Sequence, residues 1–175
     1  MSEHIVPALK NRFLQIIAQF SPGASSIRVL LHRLRGVRMG KNVWIGYDSI
    51  IGTSRPHWIS IGNNVEINVR VVIIAHLPDV PEPDEGKGKD YISVKIEDNA
   101  HVGAGAIILP NVTIGQGAVV TSGSVVTRSI PPMTMVQGNP AKPVAICGVP
   151  LLTREIPREE FLRKLKPIRK KNQSG

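Results

Sequence analysis

The chain has 175 residues, 42% of them hydrophobic, and its 22 Lys and Arg outweigh 13 Asp and Glu to give a formal net charge of +9. That length and apolar fraction suit one domain with a sizeable core and exclude a disordered chain. Seven aromatic residues against 16 Gly and 14 Pro disfavour a helical bundle, and the single cysteine, Cys147, excludes an intramolecular disulfide and a four-cysteine zinc site.

From the N-terminus, residues 2–20 place Val6, Leu9, Phe13, Ile16, Ile17 and Phe20 on one helical face, and Ser21-Pro22-Gly23 ends that helix. A second amphipathic stretch has Ile27, Leu30, Leu31 and Leu34 as its apolar side, with Arg28, Arg33 and Arg35 outside. No apolar run approaches the roughly 18 residues of a spanning helix. The expected location is therefore cytoplasmic, with peripheral membrane contact at most. Residues 1–41 hold seven Lys/Arg and one acid, residues 154–175 hold eight and three, and residues 42–153 hold seven and nine. A nearly neutral body thus carries two basic ends. Such ends attract nucleic acid, an anionic membrane or an anionic cofactor, or are solvated helix faces. Nucleic acid is disfavoured, because aromatic residues do not interleave with the basic ones.

A short repeat organises the middle of the chain. Stepping by six gives first positions Met39, Ile45 and Ile51, then Ile61, Ile67 and Ile73, then Ile96, Val102, Ile108, Ile114, Val120 and Val126. All twelve are aliphatic. Gaps fall at 57–60 and 79–95, and the last six repeats run without interruption. The second position is often Gly, as at 40, 46, 52, 62, 103 and 115, and the fifth is small or β-branched, from Val43 and Ser49 to Ala118 and Ser124. One inward aliphatic per hexad suits a short flat strand, and Gly or Asn lets the backbone turn. Three such strands close a triangular turn of 18 residues, giving a parallel β-helix of about four turns. The expected organisation is an N-terminal helical segment over 1–38, the repeat over 39–131 with an extruded loop at 77–95, and a C-terminal cap and basic tail over 132–175. The tail reads as a helix over 155–166, with Phe161, Leu162 and Leu165 on one side.

These hexads, together with Val126-Thr127-Arg128-Ser129-Ile130-Pro131-Pro132 and Gly138-Asn139-Pro140-Ala141-Lys142, resemble the hexapeptide-repeat acyltransferases. The likeness covers about residues 36–145 and is nearest to the galactoside, maltose and xenobiotic acetyltransferase branch. It implies a left-handed coil, against the usual right-handed crossover. It also implies a homotrimer and acetyl-CoA as co-substrate.

His76 is the fourth residue of the sixth hexad, at a corner where the loop leaves the repeat. An imidazole there can take a proton from a hydroxyl or amine attacking a thioester. The family's catalytic histidine occupies this place, here within Ile73-Ile74-Ala75-His76. Its orienting partner is open between Asp79, Glu82, Asp84, Glu85, Asp90 and a backbone carbonyl. Ala104 and Ser122 are third residues of stacked hexads, about 4.8 Å apart, and match the family's small pantetheine-contacting positions. Thr127, Arg128 and Lys142 match its adenosine 3′-phosphate end. Family members often have Trp where this chain has His101. Arg55, His57 and Trp58 break the repeat and are candidates for an acceptor wall.

The expected function is acetyl-CoA-dependent O-acetylation of a hydroxyl acceptor, a sugar or polysaccharide precursor. The alternatives are a catalytically silent scaffold that binds a partner through its basic ends, and a β-helical metal lyase. The latter needs three converging histidines, two of them five residues apart. After His76 only His101 remains.

Overall fold

The computed structural model describes residues 5–77, 91–151 and 157–168. An aliphatic at every sixth residue can be buried by all twelve hexads only if the chain coils around one axis. Three faces result. The first stacks β1 (Arg38–Met39), β4 (Ile59–Ile61), β7 (Val94–Ile96) and β10 (Val112–Ile114). The second stacks β2 (Trp44–Ile45), β5 (Glu66–Ile67), β8 (His101–Val102) and β11 (Val119–Val120). The third stacks β3 (Ile50–Ile51), β6 (Val72–Ile73), β9 (Ile107–Ile108) and β12 (Val125–Val126). Every pairing among them is parallel, with the first positions in register: Ile45 on Ile67 on Val102 on Val120, for example. Eleven of the twelve first-position aliphatics are fully buried along the axis, and Met39 packs half-buried against them. The small fifth positions are buried too, Ser49 and Ser124 included.

The glycines act differently from the expectation. The sharp turn falls at the fourth position, where Asn42, Asp48, Asn64, Arg70, Asn99, Gly105, Asn111, Gly117 and Gly123 take left-handed φ. Asn and Asp tolerate that region because their short polar side chains bond locally. Second-position Gly is needed instead because the next coil's backbone lies against it. A Cβ on Gly103 would sit 2.5 Å from the Ser122 nitrogen, and one on Gly40 would sit 2.7 Å from the Gly62 carbonyl carbon.

The N-terminal helices α1 (Ile5–Phe20) and α2 (Ile27–Leu34) close the first coil, and of the arginines expected outside, Arg28 and Arg35 turn inward while Arg33 stays exposed. Side chains of α1 are described from Ala8 onward, so Val6 lies outside them. Arg28, Val29, His32 and Arg35 are buried, whereas Leu9, Phe13, Ile16, Phe20, Ile27, Leu30 and Leu34 are exposed. The reason is hydrogen bonding. The open edge of coil one presents unpaired backbone groups that apolar side chains cannot satisfy. Arg28 donates to the Ile45 carbonyl at 2.6 Å, Arg35 to Gly52 at 2.6 Å, Arg33 to Gly40 at 2.6 Å and Gln15 to Ser49 at 3.2 Å. The Ile45 amide in turn donates to the Ala24 carbonyl at 2.9 Å. Polar faces therefore turn inward.

At the other end the second sheet continues. β13 (Thr134–Gln137) adds in parallel to β11, then β14 (Lys142–Ile146) and β15 (Lys166–Pro167) add antiparallel. The helix α3 (Arg158–Lys164) is shorter than expected, because the chain after Leu165 pairs as β15. Its Phe161 covers Val119 and Cys147 in a second small core. The predicted loop lies mostly outside the described residues, and β7 starts at Val94, inside the predicted insertion.

Candidate active site

The third face turns into the first at a corner that repeats every coil. On coil one this corner is Gly52–Arg55, on coil two Ile74–His76, on coil three Leu109–Asn111 and on coil four Thr127–Ser129. Ladder bonds hold the stack: the Ile74 amide donates to Ile108 at 2.9 Å, and the Leu109 amide to Val126 at 3.0 Å. His76 occupies the fourth position but is not among the left-handed residues, since the chain departs there instead of closing the corner.

His76 is half-buried. Its ring meets the Trp58 indole edge-on, with centroids 6.0 Å apart and planes at 85°. Trp58 also packs edge-on against Tyr91 at 5.0 Å, and the Arg55 guanidinium lies 5.3 Å from the Trp58 centroid. The Tyr91 hydroxyl bonds to the Asn111 side chain, one coil beyond His76. Each edge-on contact directs a positive ring edge at a negative ring face, which orients as well as packs the rings. Trp58 is thus a half-buried wall of the histidine's site. Tyr91 and Asn111 went unread in the sequence. Tyr91 lies within the predicted insertion, where no repeat marks it, and Asn111 is legible only through stacking. The loop acids Asp79, Glu82, Asp84, Glu85 and Asp90 lie outside the described residues.

Two cavities adjoin this corner. One of about 80 Å³ is lined by His76, Ala75, Ile50, Thr53, Ser54 and Arg55. A larger one of about 570 Å³ shares Ser54 and Arg55 and extends past Pro56 and His57 to Asn11 and Arg35. Its polar lining is basic or neutral. Burial, then Arg55 and Arg38, push the His57 ring below its ordinary value, toward the neutral form.

Ala104 and Ser122 lie on a different corner, between the second and third faces. They stack as the repeat requires, with the Gly123 amide donating to the Ala104 carbonyl at 2.8 Å. Space beside Gly105 and Gly123 is open, so this track exposes backbone to solvent. The segment leading to Lys142 caps the same track: the Gly138 amide donates to the Ser124 hydroxyl at 3.2 Å, and the Ala141 amide to Val125 at 2.8 Å. Thr127 and Arg128, both exposed, sit instead on the histidine's corner, two coils along or about 10 Å. His76 and the Ala104/Ser122 track are therefore separated by the width of the third face in one chain. His101 lies on the outer second face between Glu66 and Val119, its Nδ1 3.8 Å from Glu66 and without a hydrogen bond. Burial lowers its pKa and raises that of Glu66, which weakens any charge on the pair. Among the described residues no three His, Cys, Asp or Glu side chains converge as a metal site requires.

The family model "bacterial transferase hexapeptide (six repeats)" matches residues 93–128. A candidate acetyltransferase of Bacillus subtilis, YvoF, is 31% identical over 134 residues, covering 77% of this chain and 74% of the relative. A candidate acetyltransferase of Schizosaccharomyces pombe, C18B11.09c, is 43% identical over 88 residues; the match takes in 49% of this chain and only 42% of that protein. The solved maltose O-acetyltransferase of Clostridium difficile 630 superposes with a TM-score of 0.55 at 25% identity, over 82% of this chain and 88% of its own. The coil is thus that of the left-handed β-helix transferases. The chain belongs to the hexapeptide-repeat family and is an acetyltransferase.

Proposed function

We propose that the chain moves an acetyl group from acetyl-CoA to a hydroxyl of a sugar or polysaccharide precursor, with His76 as general base. The observation that carries this reading is the half-buried imidazole, set edge-on by Trp58 and lining the smaller cavity, which shares Ser54 and Arg55 with the larger one beside His57. A hydroxyl entering from the larger cavity reaches His76, which takes its proton as the oxygen attacks the thioester carbonyl. The tetrahedral intermediate collapses, the C–S bond breaks, and the protonated imidazole returns its proton to the departing thiolate. The pantetheine follows the open track at Ala104 and Ser122. Thr127, Arg128 and Lys142 hold the nucleotide end, Arg128 and Lys142 by their charge. Acetyl-CoA is a cytoplasmic donor, so the reaction belongs on that side of the membrane.

Because His76 and that track sit on different corners, one chain cannot bring them to one thioester. A homotrimer supplies the missing half, with each site formed by the histidine corner of one subunit and the open track of the next. Turnover of His76→Ala tests the base. The rate should fall about 10²–10⁴-fold, with acetyl-CoA affinity and assembly unchanged. A variant that keeps most of its turnover while binding acetyl-CoA poorly would overturn the assignment.

A further inference from the structure

We propose that the capped end of the prism is a docking surface for an anionic lipid bilayer. Ladder hydrogen bonds in a coil of this kind run along its axis, and α1 and α2 make such bonds to coil one through Gln15, Arg28 and Arg35. Both helices therefore lie across the end of the prism, and the faces opposite those residues look outward along the axis. On α1 that outward stripe is Leu9, Phe13, Ile16 and Phe20, with Phe13 62% exposed; on α2 it includes Leu30 and Leu34, each more than half exposed. No helix among the described residues is long and apolar enough to cross a membrane, so this stripe suits the interface and not the interior.

Charge selects the occupant. Residues 5–41 contain seven Lys and Arg and no Asp or Glu. At about 100° per residue, Lys10 and Arg12 fall on the two sides of the α1 stripe, and both are exposed. The described hydrogen bonds of the buried Arg28 and Arg35 go to neutral groups, the Ser21, Ile45 and Gly52 carbonyls, the side chains of Asn11 and Gln15, and the His32 ring. The cap thus presents an apolar stripe flanked by the exposed Lys10 and Arg12. A second copy of the same face would bring like charges together, whereas an anionic headgroup layer meets both the charge and the apolar side chains. If the chains assemble with parallel axes, the caps share one plane.

Co-sedimentation of the full chain with vesicles tests this, using phosphatidylcholine alone or with about one-quarter phosphatidylglycerol. Binding should require phosphatidylglycerol and weaken with salt. Lys10→Glu with Arg12→Glu touches no packing and should weaken binding roughly fivefold or more per site. Phe13→Glu with Leu30→Glu should abolish it with the thermal midpoint unchanged. Equal binding to both vesicle types, or none, overturns the proposal. So does a vesicle-independent change of assembly size in the Phe13/Leu30 variant, by light scattering, which would make the face a contact between copies.

Discussion

His32 shows how far the cap departs from an ordinary amphipathic helix. It is 0% exposed, and its Nδ1 accepts from Arg35 at 2.8 Å while its Nε2 has no partner. Burial first, then Arg35 and Arg28, lower its pKa from 6.5 to about 3. Arg35 itself is lowered by burial to about 10 and stays charged at neutral pH. Between these two values of His32 the unfolded chain binds a proton that the folded chain refuses. Stability contributed by the neutral ring is complete above pH 6.5 and falls by about 1.4 kcal/mol per pH unit below it. Denaturant titrations between pH 7 and 4 should therefore show a slope that His32→Gln flattens; an unchanged slope would refute the burial argument. At the other end of the site, Arg128→Ala should raise the Michaelis constant for acetyl-CoA with little change in turnover, as expected of a group that holds the nucleotide in ground and transition states alike.

Among the elements, the two kinds of glycine make separate predictions. Gly103 faces the Ser122 backbone, so Gly103→Ala must push two coils apart; Gly105 faces open space and carries only a left-handed φ of 68°. Gly105→Ala should cost about 1–2 kcal/mol, and Gly103→Ala about 3 kcal/mol or more. Comparing the two denaturation midpoints checks the order, and a reversal would mean the close approach is not what fixes glycine at the second position. The strands themselves were legible because one periodicity, the aliphatic every six residues, reports one physical demand, burial on a common axis. Arg28 and Arg35, expected outside, were misread for the complementary reason. An apolar stripe on each helix suggests that charged side chains face solvent, but the element these helices cover is an open sheet edge that asks for Gln15, Arg28 and Arg35. Nothing local to residues 5–34 announces that edge. Trp58 was legible as a break in the repeat, whereas the Tyr91–Asn111 pair joins residues twenty apart only once the coils are stacked.

For the whole molecule, the separation of His76 from the Ala104/Ser122 track predicts complementation between subunits. Ser122→Trp should fill the track and silence the enzyme, and His76→Ala should silence it separately. Chains of the two kinds, unfolded together and reassembled, should recover about one quarter of wild-type activity, because that share of random neighbours pairs an intact histidine with an intact track. Measuring activity against mixing ratio decides it; a mixture as inactive as its parents would place both halves of the site in one chain.

The ladder that stacks one coil on the next has no internal length limit, and what ends it is chemically foreign to it. Gln15, Arg28 and Arg35 occupy the groups of coil one that another coil would claim, and the antiparallel turn into β14 reverses the strand direction beyond β13. Without those two stops the prism would be a fibril with a triangular cross-section, able to recruit further copies end to end. The arginines of the first helices, so poorly placed by the rules of soluble helices, are in this sense terminators of a polymer of one.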